Sequence, residues 1–373
     1  MDAHEFEIGL NRLDIDTPAL LIDLPAMERN LEVMADFFEG TEAKLRPHVK
    51  LHKATPVLAH MQLNAGRTIG VTCAKLSEAE IMAKAGIRDI LIANEIVGAL
   101  KIKRLVNLAA YSDVMVAVDN LENINELSQA AHAKGVQVRV LVEVNIGHNR
   151  CGVEPNEQAL QMARAVSEAP GLRFMGLMGY DGHCTMRVDA SEREACSMKA
   201  YEVLIASKEY IENAGLDIEI VSASGTFTYR YATKLKGITE IQAGTYLLMD
   251  TAFRDAGVTG FELTLSVLST IISRQMREGD ENMAVIDMGR KAMHTNYGLP
   301  EVKNPLGAKA IGLSQEHGKV ELDGAARGLK IGDKIEWWVR DANDTINLYN
   351  KVYGIRDDIV EAVWDMPGRG LMT

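Results

Sequence analysis

The residues best suited to chemistry begin in one stretch, Leu45-Arg46-Pro47-His48-Val49-Lys50-Leu51-His52-Lys53. Read as a strand it alternates, with Leu45, Pro47, Val49 and Leu51 on one face and Arg46, His48, Lys50 and His52 on the other. Such a basic row is ordinarily a solvated edge. Thr55-Pro56 supports a second reading, because Thr as N-cap and Pro in the first turn open a helix. Lys50 then closes a β-strand of a βα unit, at the end where α/β barrels keep their chemistry. Among Arg46, His48 and Lys53 it is expected to have a lowered pKa, and an unprotonated amine forms Schiff bases.

Other strand ends supply matching groups. One runs Glu143-Val144-Asn145-Ile146-Gly147-His148-Asn149-Arg150-Cys151-Gly152-Val153, and another ends Tyr180-Asp181-Gly182-His183. Ser224-Gly225-Thr226 and Gln242-Ala243-Gly244-Thr245-Tyr246 close two more. Gly-Thr is a common turn, but hydroxyls and backbone N–H groups in the last two loops of a barrel also cradle phosphate. A lysine, a phosphate cradle and an arginine together suit pyridoxal phosphate.

These groups need a scaffold that brings strand ends together. After the strand ending at Lys50, apolar strands are expected at 69–74, 89–94, 114–119, 138–145, 172–180, 218–224 and 240–246, which makes eight. Helical stretches separate them, among them 77–85, 121–134, 155–169 and 192–214, several ending in Gly turns (Gly86, Gly135, Gly215). Eight βα units read as a TIM (β/α)8 barrel; the competing doubly wound sheet would call for a GxGxxG after its first strand, and none is present. Beyond residue 255 the pattern turns to strands, at 261–272, 284–287, 319–322, 334–339, 345–349 and 359–364, joined by Gly and Asp turns. The expected division is a barrel over 15–255 and an all-β domain over 256–373. Residues 1–14 join the latter, and the strand 19–23 is assignable to either.

Composition narrows the function. A chain of 373 residues with net charge −12 is long enough for two domains and disfavours nucleic acid or an anionic membrane surface as partner. No apolar run reaches membrane-spanning length. Cys73, Cys151, Cys184 and Cys196 lie far apart without CxxC spacing, so neither disulfides nor a zinc knuckle are expected. With no apolar signal segment, a cytoplasmic location follows.

Arg-Pro-His-Val-Lys, Glu-x-Asn-x-Gly-x-x-Arg-Cys-Gly-Val, Tyr-x-Gly-His, Ser-Gly-Thr, Gln-Ala-Gly-Thr-Tyr-x-x-Met-Asp, Asp-x-Gly-x-Lys-Ala and Glu-His-Gly occur in that order between about Thr17 and Gly370. As a set they resemble the D-threonine aldolase and D-serine dehydratase family, which has the alanine racemase fold. The resemblance implies pyridoxal phosphate on Lys50, with Arg150 near its phenolic oxygen and Gln242 on the ring side. Tyr180, Ser224, Gly225, Thr226, Gly244, Thr245 and Tyr246 complete the cofactor site, and His183 is a proton-transfer group at the substrate β-hydroxyl.

The chain departs from the family at its metal ligands. The family carries His-x-Cys or His-x-Asp, whereas this chain reads Asp341-Ala342-Asn343. Asp341 and Asn343 suit Mg2+ or Mn2+ better than zinc, and they equally suit a turn in which both bond backbone N–H groups. Asn296 also stands where the family more often has an acid. The activity implied is a lyase acting on D-β-hydroxy amino acids, an aldolase before a dehydratase. An amino-acid racemase and a non-catalytic cofactor-binding protein are further alternatives. The family also implies a homodimer.

Overall fold

The computed structural model describes residues 4–185, 187–274 and 281–373. They form two compact units. One holds Met34–Lys50, Pro56–Thr245 and Leu371–Thr373; the other holds the chain up to Val33, Leu51–Thr55 and Tyr246–Gly370.

The first unit is the expected barrel. Its strands are Lys44–Leu45, Val71–Cys73, Asp89–Glu95, Asp113–Val118, Val138–Glu143, Leu172–Gly179, Ile220–Ala223 and Glu240–Ile241. They pair in parallel as one eight-stranded sheet. Bridges Leu45↔Thr68 and His48↔Thr72 join its two ends. Parallel strands are covered on both faces, which is why they read as continuous apolar runs. Leu91, Met115, Ala117, Leu141, Met175 and Met178, from four successive strands, form one buried cluster. The helices between strands stop where their caps dictate. Asn120 accepts the N–H groups of Glu122 and Asn123 at the start of Leu121–Lys134, and left-handed Gly135 ends it.

The opening stretch is less regular than its alternation suggests. Regular pairing covers Lys44–Leu45, a bridge follows at His48, and Val49–Ala54 form turns, with Lys53 and Ala54 at positive φ. The basic row does not act as a row either. Arg46 is buried in ion pairs with Glu240 (3.0 Å) and Asp89 (2.9 Å), which open their own strands. Its charge is cancelled there by the two carboxylates.

The second unit is a nine-stranded sheet among the described residues. Its main path runs Ala308–Leu313, Gly318–Leu322, Met283–Ile286, Leu265–Ser273, Ala19–Asp23, Lys351–Arg356 and Ile359–Asp365, with Glu301–Asn304 and Lys334–Trp338 beside it. Strand Ala19–Asp23 lies in the middle, antiparallel to Leu265–Ser273 and parallel to Lys351–Arg356. The strand expected at 345–349 is absent. Helix Ala342–Ile346 stands there instead, because Asp341 caps it, accepting the Asp344 N–H at 3.2 Å. Sequence reading also passed over Glu301–Asn304, Ala308–Leu313 and Lys351–Arg356.

Candidate active site

The barrel's C-terminal rim gathers most of the predicted residues. Lys50 is exposed in the turn that follows the His48 bridge. The His48 N–H donates to the Ala243 carbonyl at 3.1 Å. Gly244 packs directly on the His48 carbonyl, where any Cβ would collide with backbone. The loop of the last strand and the lysine turn are thereby locked together.

The loop after Val138–Glu143 is folded by its own motif. Asn145 Oδ1 accepts the N–H groups of Gly147 and Asn149, each at 3.1 Å. The Val153 N–H donates back to the Glu143 carbonyl at 2.9 Å, and Gly152 (φ +97°) lies where a Cβ would be 2.7 Å from the Asn145 nitrogen. This hairpin turns Arg150 over the Tyr180 ring, 5.4 Å from its centre. Burial, and then Asp181, push the Tyr180 hydroxyl up to about 12, so it is a neutral hydrogen-bond donor at physiological pH.

Tyr180 lies between two loops. A Cβ on Gly182 would be 2.6 Å from its ring, and one on Gly225 would be 3.7 Å away. Buried Ser224 takes a left-handed conformation (φ +69°), a strained choice for serine that turns the loop, and its hydroxyl is 3.0 Å from Thr228 Oγ1. The Thr228 hydroxyl donates to buried Asp181 at 3.2 Å. Thr226 is buried, and Gln242 Nε2 donates to Ser222 Oγ at 2.8 Å. Tyr246 belongs to the sheet unit, fully buried and 5.8 Å from the Phe261 ring.

His183 is exposed in the short helix Gly182–Thr185 and rests over Gly147, whose Cβ would be 2.9 Å from Nε2. His148 stacks 6.2 Å from it. Burial, Arg150 and His183 lower the His148 pKa against Asp181, so a cation at that ring is disfavoured.

Sequence reading missed several groups. Glu143 closes its strand with Arg150 Nη2 at 4.0 Å, and burial followed by Glu95 pushes its carboxyl up to about 8. The name of the residue was in the motif, but nothing in the sequence placed Glu95 beside it. Cys184 and Cys196 are disulfide-bonded, with Cα atoms 5.6 Å apart, which corrects the expectation of reduced cysteines throughout. Cys73 and Cys151 are free thiols.

In the sheet unit, Asp341 is joined by His294 and Asp344, one ligand atom of each lying within 4.8 Å of the others. Asn343 sits in the first turn of the capped helix. His294 Nδ1 is buried without a hydrogen-bond partner, 3.7 Å from Asp341 Oδ2. Burial first, and the like charge of Asp344, raise the Asp341 pKa; the Asp344 N–H, His294 and Lys53 oppose this. Asn296 Nδ2 donates to Asp344 at 3.4 Å.

Two family matches tile the chain: alanine racemase, N-terminal domain, over residues 22–252, and putative serine dehydratase domain over 264–355. The 3-hydroxy-D-aspartate aldolase of Paracoccus denitrificans is 34% identical over 372 residues, covering 97% of this chain and 94% of that one. This chain belongs to the D-threonine aldolase and D-serine dehydratase family. The crystal structure of D-threonine aldolase from Filomicrobium marinum superposes with a TM-score of 0.92 at 36% identity, over 98% of both chains. The D-threo-3-hydroxyaspartate dehydratase of a Delftia species is 31% identical over 84% of this chain and 86% of its own. Family membership makes the protein a lyase on an alanine racemase-type barrel. Among the described residues, no helix is long and apolar enough to cross a membrane.

Proposed function

We propose that the protein is a pyridoxal-phosphate-dependent aldolase that cleaves D-β-hydroxy amino acids to glycine, or a related amino acid, and an aldehyde. The observation that carries the reading is Arg150 placed over half-buried Tyr180 beside Gly225, on the rim that also bears Lys50. The donor set suits the cofactor. Lys50, an exposed residue, would supply the amine for its aldehyde, and Arg150 a cation for its phenolic oxygen. Ser224, Thr226 and Thr245 would offer hydroxyls, and Gly225 and Gly244 backbone N–H groups, for its phosphate, and Gln242 an amide for the ring side. When bound, pyridoxal phosphate supplies a ring that takes up the electron pair of a bond broken at Cα. Residues 15–255 would then be the cofactor-bearing part of the chain.

This chain's own contribution is positioning and proton transfer. His183 accepts the β-hydroxyl proton at a ring nitrogen, and the Cα–Cβ bond opens as the aldehyde forms. His148, disfavoured as a cation, keeps positive charge from accumulating beside His183.

His294, Asp341 and Asp344 suit a divalent cation. An unpartnered imidazole nitrogen and two carboxylates that repel one another are both relieved by one, and the mixed N/O set favours Mn2+ over Mg2+. Because Asp341 also caps a helix, Asp341→Asn is the informative change: it keeps a capping oxygen and removes the carboxylate. Metal co-purifying with the native protein should be lost in that variant. If none co-purifies and chelation leaves the rate unchanged, Asp341 is only a cap.

The second reading is a dehydratase, favoured by the Delftia relative, in which Lys50 removes the α-proton and the hydroxyl leaves. Incubation with D-threonine, D-serine and D-3-hydroxyaspartate, with Mn2+ or with EDTA, separates the two. Glycine with an aldehyde means aldolase, while a keto acid with ammonia overturns it in favour of the dehydratase. We further propose a cytoplasmic homodimer, on the family resemblance; a single-chain mass with full activity would refute the dimer.

A further inference from the structure

The Cys184–Cys196 pair lies beside His183, and its two sulfurs are not equally accessible. Cys184 is fully buried in the short helix Gly182–Thr185. Cys196 is half-buried in helix Ala190–Asn213 and faces a cleft of about 850 Å³, lined also by His183, Glu154, Arg187, Glu192 and Lys199. A ring nitrogen of His183 lies within 4.8 Å of both sulfurs. Among the described residues, side chains tie down the four-residue helix that carries His183 through the Asp181–Thr228 hydrogen bond before it and the disulfide from within it. Beyond it, buried Arg193 donates to the Arg187 and Val188 carbonyls and holds the next turn in place whether or not the sulfurs are joined.

We propose that Cys184–Cys196 is a thiol–disulfide exchange site, opened by small charged thiols that enter the cleft, and that its bond holds His183 over Gly147. The role given to His183 rests on the aldolase reading; the exchange chemistry does not. The cleft's mixed charges, Arg187 and Lys199 against Glu154 and Glu192, suit a zwitterionic thiol of the glutathione class. Its thiolate attacks Cys196 Sγ, the accessible sulfur. A mixed disulfide forms there as the Cys184–Cys196 bond breaks, and the electron pair leaves on Cys184 Sγ. That sulfur is buried, where a thiolate is disfavoured, and it takes a proton from water. A second thiol attacks the bound one and departs with it as a disulfide. The protein has then gained two electrons and two protons, and two small thiols have become one disulfide. The oxidised small thiol reverses the sequence.

The test holds the full-length, cofactor-loaded protein in buffers of varied reduced-to-oxidised glutathione ratio, then quenches, alkylates and maps the cysteines by mass. The expected result is one transition in which positions 184 and 196 change together. Across it kcat falls about tenfold or more with KM within about twofold, the pattern of a displaced proton-transfer group. Amide exchange in 182–185 should rise in parallel. Cys196→Ser should show the reduced-state rate at every ratio. Both positions alkylating even in oxidising buffer, a bond that no glutathione ratio opens, or a transition without change in kcat and amide exchange would each overturn the proposal. If no D-β-hydroxy amino acid turns over, the aldolase reading fails, and alkylation with amide exchange still decides this one.

Discussion

Both ends of the barrel carry arginines among carboxylates, and the two ends use them in opposite ways. At the N-terminal floor, Arg46 is fully buried between Asp89 and Glu240, and Arg139 bridges Asp89 (2.5 Å) and Asp113 (2.7 Å). Both of these guanidinium groups have carboxylate partners at contact distance. At the C-terminal rim, Arg150 is half-exposed, its nearest carboxylate is 4.0 Å away, and its other neighbour is an uncharged ring. Cancelled charge at the floor serves the fold. Uncancelled charge at the rim suits an anion such as the cofactor proposed above.

Substitutions can break that contrast, and the largest effect belongs to the rim. Lys50→Ala should abolish turnover and the cofactor's visible absorbance while leaving the unfolding midpoint of the cofactor-free protein nearly unchanged. An absorbance band that persists and is fixed by borohydride on Lys53 or Lys75 would move the assignment. The floor should behave in the reverse sense. Arg46→Ala strands Glu240 and is expected to cost about 3–5 kcal/mol in denaturant unfolding, the usual penalty for breaking a buried pair. A cost below about 1 kcal/mol would show that the floor is not a stability lattice. Arg150→Ala should change stability by no more than about 0.5 kcal/mol, since a half-exposed side chain loses little. Its effect should appear as weaker cofactor retention on dialysis.

The smallest effect is one of pH. Glu143 keeps its proton in the folded protein up to about 8, whereas in the unfolded chain it releases it near the ordinary carboxylate value. Its contribution to stability is therefore whole below about pH 4.5, declines as pH rises toward 8, and is flat beyond. Glu143→Gln should flatten the fall of thermal stability between pH 5 and 8. An unchanged slope would place the titration elsewhere.

How far the sequence could be read depended on whether the signal was local. Leu121–Lys134 was legible to the residue because Asn120 and Gly135 flank it. The rim was legible as a set of strand ends, each with its own motif. Thr345–Tyr349 was misread because its strand-like residues follow Asp341, and one capping side chain outweighs their propensity. Arg46 was misread as part of a basic row because Glu240 and Asp89 lie far off in sequence. The same distance hid Glu95 from Glu143 and His294 from Asp341. Cys184 and Cys196 lie closer, twelve residues apart, but their spacing has no signature; the fold alone brings them together.

The place of strand Ala19–Asp23 sets a timetable for the chain. Its two neighbours are Leu265–Ser273 and Lys351–Arg356, so it is made early and flanked last. At roughly 5–20 residues per second, synthesis leaves it without its second partner for on the order of tens of seconds. Throughout that wait Leu20, Leu21 and Ile22, all buried in the finished protein, have no complete sheet to enter. The barrel strands, contiguous in the interval, can find one another first. The nascent chain thus carries a sticky leading strand through the whole of barrel formation, and a chaperone that shields short apolar segments would have its natural client in these residues.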